Sequence, residues 1–277
     1  MILRKRMSMK ILHNKSSSGM GWFELVLMGL GSCVILFIVA PLLSMTLATS
    51  IGELTRTAAN AEVIQSIKLT LAAAFFATVV SAVAGVPLAY LLARKKFFGR
   101  SVVLAIIDLP IIIPHSAAGI ALLTVIGRRS AVGRLLPGGL AVTAVGVSVA
   151  MAFVSLPFLV NAARQAFAAV PERLEKAART LGASPSRVFF TISLPLAWRG
   201  VLSGMVLMWA RGISEFGAVV IIAYHPMTTP VMVFQRFNDF GLAAARSVAV
   251  LLILICVGLF VLLRVFGRLS GEGSADA

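Results

Sequence analysis

The chain is poor in charged residues, and above all in acids. Only 13% of its 277 residues are charged, and ten Asp and Glu residues stand against 25 Lys and Arg residues. The three His and two Cys residues are widely separated, so no spacing typical of a metal site or a disulfide framework occurs. We therefore expect no metal site, and we expect Cys33 and Cys256 to be buried free thiols.

Motifs for catalysis are missing as well. The sequence contains no Gly-Lys dipeptide, so it cannot form the phosphate-binding loop of a P-loop ATPase. It contains no Gly-x-Ser-x-Gly nucleophile elbow, and among its acids only Asp108 and Glu215 are clearly intramembrane. We expect no catalytic residue and no cofactor bound by this chain, so any work it does must draw energy from a partner or an ion gradient.

Apolar residues dominate what remains. They make up 59% of the chain, and the mean hydropathy is +0.99, values typical of membrane proteins. Because a helical span needs about 20 mainly apolar residues, the sequence predicts an all-α, polytopic membrane protein with six transmembrane helices. These spans are residues 23–47, 63–92, 102–126, 140–161, 198–223 and 247–266.

The spans divide the chain into four parts. Residues 1–20 form a basic N-terminal tail, and residues 21–62 form a first transmembrane helix with an outer loop. Residues 63–268 form a five-helix core, and residues 269–277 form a C-terminal tail.

Basic residues concentrate in the loops on one side of these spans. The tail at 1–20, the loop near 94–100 and the stretch 164–199 carry most of the Lys and Arg residues. By the positive-inside rule both termini are cytoplasmic. The net charge of +15 is thereby explained by topology, and we expect no nucleic-acid partner.

A long polar loop, PERLEKAARTLGASPSRVFFTISLP at residues 171–195, separates the fourth and fifth spans. Pro171 suits the start of a helix, and Gly182 suits its end. Ser184 and Pro185 suit the start of a second short helix that runs toward Ile192. The pattern predicts two short helices, of which the first carries one apolar stripe. The stripe consists of Leu174, Ala177, Ala178 and Leu181.

The spacing in this loop resembles the EAA loop of binding-protein-dependent ABC importer permeases, which docks on the ATPase subunit. The resemblance rests on Ala177-Ala178, Gly182 and the Leu194-Pro195 pair. Lys176 occupies the family's Glu position, and the nearest acid, Glu175, lies one residue earlier. The alternative is an amphipathic helix on the lipid surface. The residues that the resemblance assigns to ATPase coupling are Leu174, Lys176, Ala177, Ala178, Leu181, Gly182, Leu194 and Pro195.

The third and fifth spans contain polar residues next to helix breakers. Pro110 and Pro114 each remove a backbone donor, which at membrane depth is tolerated only beside protein or water. Arg211 and Glu215 are four residues apart and can pair on one helix face. Each segment is either part of a transport pathway or structural. The structural alternative is a proline kink for the third span and, for the fifth, a helix-to-helix clamp in which Arg211 also reaches Asp108. The pathway or gate candidates are Asp108, Pro110, Pro114, His115, Ser116, Gly119, Arg211, Ser214, Glu215, Phe216 and Gly217.

These two segments carry a second resemblance. The stretches IDLPIIIPHSAAGIAL and ARGISEFGAVVIIAYHPMTTPV are similar to the oxyanion branch of the permeases, which handles molybdate, tungstate and sulfate, and the Tyr-His-Pro continuation is most like the molybdate/tungstate type. The resemblance implies a type I ABC importer permease fold with a cytoplasmic coupling loop at residues 164–196. It also implies a homodimer in the cytoplasmic membrane, two ATPase subunits that hold ATP and Mg²⁺, and an extracytoplasmic substrate-binding protein.

Other interpretations of the sequence stay open. An ion-coupled secondary anion transporter could use Asp108, His115 and Glu215, and a membrane scaffold would transport nothing. Sulfate is the alternative substrate. Arg128, Arg129 and Arg134 in an outer loop either attract anions or the binding protein, or are an ordinary solvated loop.

Overall fold

The computed structural model describes residues 21–130, 132–135 and 139–272. The predicted N-terminal tail at 1–20 and residues 273–277 of the predicted C-terminal tail lie outside the described residues. The chain divides into two units, one ending at Ser50 and one beginning at Ile51.

The described part of the first unit is one long apolar helix. Helix α1, Trp22–Leu47, has 26 residues and buries none of them within the chain. A rise of 1.5 Å per residue gives it a length of about 39 Å, enough to cross a bilayer. The expectation of a buried thiol at Cys33 is wrong, because that side chain is exposed, and Cys256 of the last helix is only half-buried.

The second unit is built from helices, and no strand occurs among its described residues. A 3-10 turn at Gly133–Leu135 and a π turn at Phe189–Ser193 accompany its helices. The helices are α2 Ile51–Ala59, α3 Ala61–Arg94, α4 Arg100–Ile112, α5 His115–Ile126, α6 Ala144–Ala169, α7 Glu172–Thr180, α8 Pro185–Val188, α9 Leu194–Ile213, α10 Gly217–Ile222, α11 Thr229–Phe240 and α12 Leu242–Glu272.

Six spans are present if one broken helix pair counts as a single span. Within the described residues five helices are long and apolar enough to cross a membrane alone, and α4 with α5 makes a sixth, bent by 112°. The predicted third span is therefore not straight. The predicted fifth span begins earlier, since α8, the π turn and α9 form one helix, Pro185–Ile213.

Helices α3, α6 and α9 form the centre of the second unit. Small residues allow their close approach: a Cβ added to Gly212 of α9 would lie 3.2 Å from Ala74 Cβ of α3, and one added to Gly204 would lie 2.9 Å from Ala162 Cβ of α6. Helix-helix packing through small residues is the usual arrangement where lipid surrounds a bundle.

Helix α11 packs against the first turns of α3 through buried hydroxyl groups. The backbone N–H of Thr229 donates to Thr70 Oγ1 at 2.8 Å, and the hydroxyls of Ser66 and Thr229 lie 3.3 Å apart. By contrast, α7 lies near the last turn of α3, where Arg94 reaches it. Helices α11 and α7 therefore mark opposite ends of α3.

Candidate functional site

The short helix α7 ends where the sequence predicts. Gly182 has a φ of +87°, and its N–H donates to Arg179 O while that of Ala183 donates to Ala178 O. This is a Schellman motif, which closes a helix by using its last free carbonyls and favours glycine at the left-handed position. The predicted stop at Gly182 is confirmed.

The second helix of the loop differs from the prediction of a separate short helix. Ser184 caps it and Pro185 begins it, as expected, but it continues through a π turn into α9. In that turn the Leu194 N–H donates to Phe189 O, five residues back. The wider turn accommodates Pro195, which has no N–H and whose ring obstructs the preceding α-helical turn. The loop is thus joined rigidly to the fifth span.

The predicted apolar stripe on α7 is free of contacts that would bury it within the chain. Leu174 is 40% exposed and Leu181 is 89% exposed, and Ala177 is exposed as well. Of the stripe's members only Ala178 is half-buried. We call this set, Leu174, Ala177, Ala178 and Leu181, the α7 face. It is an exposed apolar surface on a charged helix.

Charged residues flank this face on the surface. Lys176, at the family's acid position, is exposed and lies 3.1 Å from Glu172 Oε2. The hydrogen bond and charge of Lys176 lower the pKa of the Glu172 carboxyl. Both side chains are solvated, so this pair contributes little to stability.

Glu175 lies on the buried side of α7 and points into the chain. Its Oε1 accepts from Arg94 Nε at 2.8 Å and from Ser193 Oγ at 2.8 Å, and its Oε2 accepts from Tyr90 at 3.2 Å. Arg94 Nη2 lies 2.7 Å from Oε1 and donates to Val170 O at 2.9 Å. We call Tyr90, Arg94, Glu175 and Ser193 the Glu175 cluster.

Three members of this cluster, Tyr90, Arg94 and Ser193, were not among the site residues predicted from the sequence. Tyr90 and Arg94 are four residues apart at the end of a span, a spacing that places them on one helix face. A buried acid in a basic loop needs a nearby cation, which is the signal that could have identified Arg94. Ser193 lies within the motif region, between Ile192 and Leu194, but carried no signal of its own.

The second group of candidates surrounds two helix breaks. Pro114 separates α4 from α5, and residues 214–216 separate α9 from α10. Pro110 is buried within α4, so only the second proline marks the break. The two breaks meet: a Cβ on Gly217 would lie 2.7 Å from His115 Cβ, and one on Gly119 would lie 3.0 Å from Ala218 Cα.

A charged group occupies this meeting point. Glu215 is fully buried, and its Oε2 lies 3.0 Å from Arg211 Nη2 and 2.9 Å from His115 Nδ1. Its Oε1 accepts from the Ala218 N–H at 2.9 Å and so caps α10. Arg211 Nη1 donates to Ser214 Oγ at 3.3 Å. We call His115, Arg211, Ser214 and Glu215 the Arg211 cluster. Its predicted Arg211–Glu215 pair is confirmed.

The remaining candidates lie apart from the Arg211 cluster. The clamp hypothesis expected Arg211 to reach Asp108, and this part of it is wrong. Asp108 Oδ1 instead accepts from Asn161 Nδ2 of α6 at 2.7 Å. Its position on α4, before the 112° bend, directs it toward α6. Ser116 is exposed, and Phe216 packs against Phe234 of α11 with ring centroids 5.0 Å apart.

The Arg211 cluster has the character of a polar site at membrane depth. The side chains of Arg211 and His115 are 22% and 34% exposed, whereas that of Glu215 is closed off. Arg211 and His115 are therefore partly accessible, while Glu215 is not. Arg128, Arg129 and Arg134 are exposed in their loop.

Comparisons with known proteins identify relatives of this chain. The chain is 44% identical over 237 residues to the molybdate/tungstate transport system permease protein of Pyrococcus abyssi, covering 85% of this chain and 92% of that protein. It is 35% identical over 212 residues to a probable sulfate transport system permease protein of Chlorokybus atmophyticus, covering 74% of this chain and 73% of that protein.

A solved structure shares the fold. The match is to a bacterial ABC transporter involved in the import of the acidic polysaccharide alginate, with a TM-score of 0.67 and 16% identity over 92% of this chain and 96% of that chain. Residues 85–268, which include both clusters, match the family described as binding-protein-dependent transport system inner membrane component. The chain belongs to that family of membrane permeases.

Proposed function

We propose that this chain is the permease of an ATP-driven importer for a tetrahedral oxyanion, molybdate or tungstate. The observation that carries the proposal is the 44% identity to a molybdate/tungstate permease over 92% of that protein's length. The probable sulfate permease is less similar, at 35%, so sulfate is the second candidate.

An ATP-driven importer needs a separate ATPase subunit here, since the sequence of this chain has no phosphate-binding loop. The α7 face supports an ATPase subunit as that partner: it is apolar, exposed and joined through α8 to a long span. The ATPase would hold ATP and Mg²⁺, and this chain would bind neither. The residues assigned to coupling in the sequence lie on α7, at Gly182 after it and at Leu194-Pro195 where α9 begins.

The orientation of the chain follows from charge. The end of the bundle that holds α7 also holds Arg94, Lys95, Lys96 and Arg100. Basic residues in short loops favour the cytoplasmic side, where the ATPase works. Both termini would then be cytoplasmic, and an extracytoplasmic binding protein would approach the opposite end.

The Arg211 cluster is the site that we assign to the transported anion. A dianion in the bilayer needs a cation and hydrogen-bond donors, and Arg211, His115 and Ser214 supply both. Glu215 holds Arg211 in place and weakens its hold on the anion, since tight binding would prevent release. Two copies of the chain around one pathway would bring two such clusters to the anion.

Transport would proceed by alternating access. ATP closes the ATPase dimer, α7 moves with it, and the attached spans move as a rigid body so that the pathway opens outward. Hydrolysis of ATP restores the inward-open state. The bends between α4 and α5 and between α9 and α10 place the Arg211 cluster where moving spans meet.

Reconstitution tests this proposal. The permease, its ATPase and its binding protein are placed in proteoliposomes, and uptake of labelled molybdate is measured with and without ATP. We expect ATP-dependent uptake that excess tungstate inhibits more strongly than excess sulfate. Uptake by the permease alone on a pH gradient would instead support an ion-coupled transporter, and no uptake of any oxyanion would support a scaffold.

A further inference from the structure

The Glu175 cluster joins three segments of the chain at one carboxylate and reaches a fourth segment through Arg94. Glu175 comes from α7, Tyr90 and Arg94 come from α3, and Ser193 comes from the π turn below α9. Arg94 also binds the carbonyl of Val170, just after α6 ends. A displacement of α7 therefore cannot leave these helix ends in place unless the cluster breaks.

The cluster is nearly closed to solvent. The side chains of Arg94 and Glu175 are 8% and 12% exposed, although both lie outside the apolar part of the spans. A buried ion pair holds firmly only when further hydrogen bonds satisfy its remaining atoms. Here Ser193 and Tyr90 donate to the carboxylate and Val170 O accepts from the guanidinium, and no buried side-chain atom of the cluster lacks a partner.

Aromatic packing supports the cluster from the membrane side. The ring of Tyr90 lies edge-on to Phe167 of α6 and to Phe189 of the π turn, with centroids 5.3 Å and 4.9 Å away. Phe167 is fully buried. The phenol that donates to Glu175 is therefore fixed by the same helices that the carboxylate connects.

We propose that Glu175 is a positioning residue that transmits motion from α7 to the spans α3 and α9 through Arg94, Tyr90 and Ser193. The α7 face is exposed, so a partner can bind it, whereas Glu175 is buried and contacts the spans. Glu175 is then an internal link rather than a contact to the partner, and the exposed Lys176 leaves this link intact. The inference rests on the proposed function, because only a moving partner gives the link a motion to transmit.

The experiment measures molybdate imported per ATP hydrolysed by the reconstituted complex. Glu175→Gln removes the charge and keeps the size of the side chain, and Arg94→Gln removes the facing charge. The matched controls are Glu172→Gln, an exposed acid on the same helix, and Lys96→Gln, an exposed base two residues beyond Arg94. Retention of the ATPase during purification is measured for every variant.

We expect Glu175→Gln and Arg94→Gln to keep the ATPase bound but to lower the import per ATP about tenfold. A change of that size is typical when the coupling between two sites is lost. The exposed controls should change it by less than about twofold. A merely structural role would lower the yield of complex and leave the ratio of import to hydrolysis unchanged. A Glu175→Gln complex that imports with the unaltered ratio overturns the inference.

A milder variant covers the case in which Glu175→Gln does not assemble. The double variant Tyr90→Phe/Ser193→Ala keeps the ion pair and removes both hydroxyl donors, and we expect an import per ATP about threefold lower. An unchanged ratio in that variant again overturns the inference. If the unaltered complex imports no oxyanion, the proposed function itself fails, and this is seen before any variant is measured.

Discussion

At the scale of single residues, the chain uses buried carboxylates to organise arginines. Glu175 faces Arg94 near one end of α3, and Glu215 faces Arg211 at the helix breaks. An unpaired buried charge costs several kcal/mol, roughly, so each acid fixes its arginine as firmly as the arginine fixes the acid. The scarcity of acids in the sequence makes each of these pairs a strong structural constraint.

The Arg211–Glu215 pair can be tested by neutralising one member and then both. We expect Arg211→Met to lower the free energy of unfolding by about 3–5 kcal/mol, because it leaves the buried Glu215 carboxylate with only His115 and the Ala218 N–H as partners. Arg211→Met/Glu215→Gln should recover most of that loss, since the Gln oxygen still caps α10. Thermal unfolding of the purified permease in detergent measures both, with the exposed Arg199→Met on the same helix as the control.

The same double variant separates a structural clamp from an anion site. If Arg211 contacts the transported anion, the double variant is stable but imports little molybdate. Import at the unaltered rate would contradict the assignment of the Arg211 cluster to the pathway, and a stable Arg211→Met single variant would contradict the buried-pair argument.

At the scale of helices, the sequence predicts the elements better than their breaks. Hydropathy identifies the six spans because each contains a long apolar run, and Gly182 ends α7 because its backbone conformation favours glycine. The π turn could not be predicted from the sequence, because Pro195 is compatible with either a helix break or a widened turn. The partner of Glu175 could not be predicted either, since Arg94 is 81 positions away and only the folded chain brings the two residues together.

Gly182 offers a test at this scale. A Cβ there meets no atom within 4 Å, so a substitution acts through the backbone alone. Valine at a φ of +87° is strained by about 1–3 kcal/mol, which shifts or frays the end of α7. We expect Gly182→Val to insert in the membrane normally and to lose most of its transport-linked ATP hydrolysis.

The matched control at this position is Gly182→Asn, since asparagine tolerates the left-handed conformation. It should keep most of the coupling. Equal, unreduced ATP hydrolysis in both variants would show that the geometry of the α7 stop does not matter for coupling.

At the scale of the whole molecule, α3 extends from the end of the second unit that contains α11 to the end that contains α7. Thr70, which holds α11, and Tyr90, which holds α7, are about 20 residues apart on one helix, a distance of about 30 Å. That is the thickness of the hydrocarbon core of a bilayer. The two contacts therefore fall at opposite faces of the membrane, so one orientation places α7 with the ATPase and the other with the binding protein.

Thiol labelling decides between these orientations. In a background of Cys33→Ala and Cys256→Ala, Ser186→Cys places a thiol on the exposed surface of α8, and Asp239→Cys places one on the exposed end of α11. A membrane-impermeant maleimide should label Asp239→Cys in intact cells and Ser186→Cys only in inside-out vesicles, because the basic residues near α7 favour the cytoplasmic side. Detergent-solubilised protein, in which both positions should react, is the control for reactivity. Labelling of Ser186→Cys from outside would place the α7 face where no cytoplasmic ATPase could bind it, and the proposed coupling would fail.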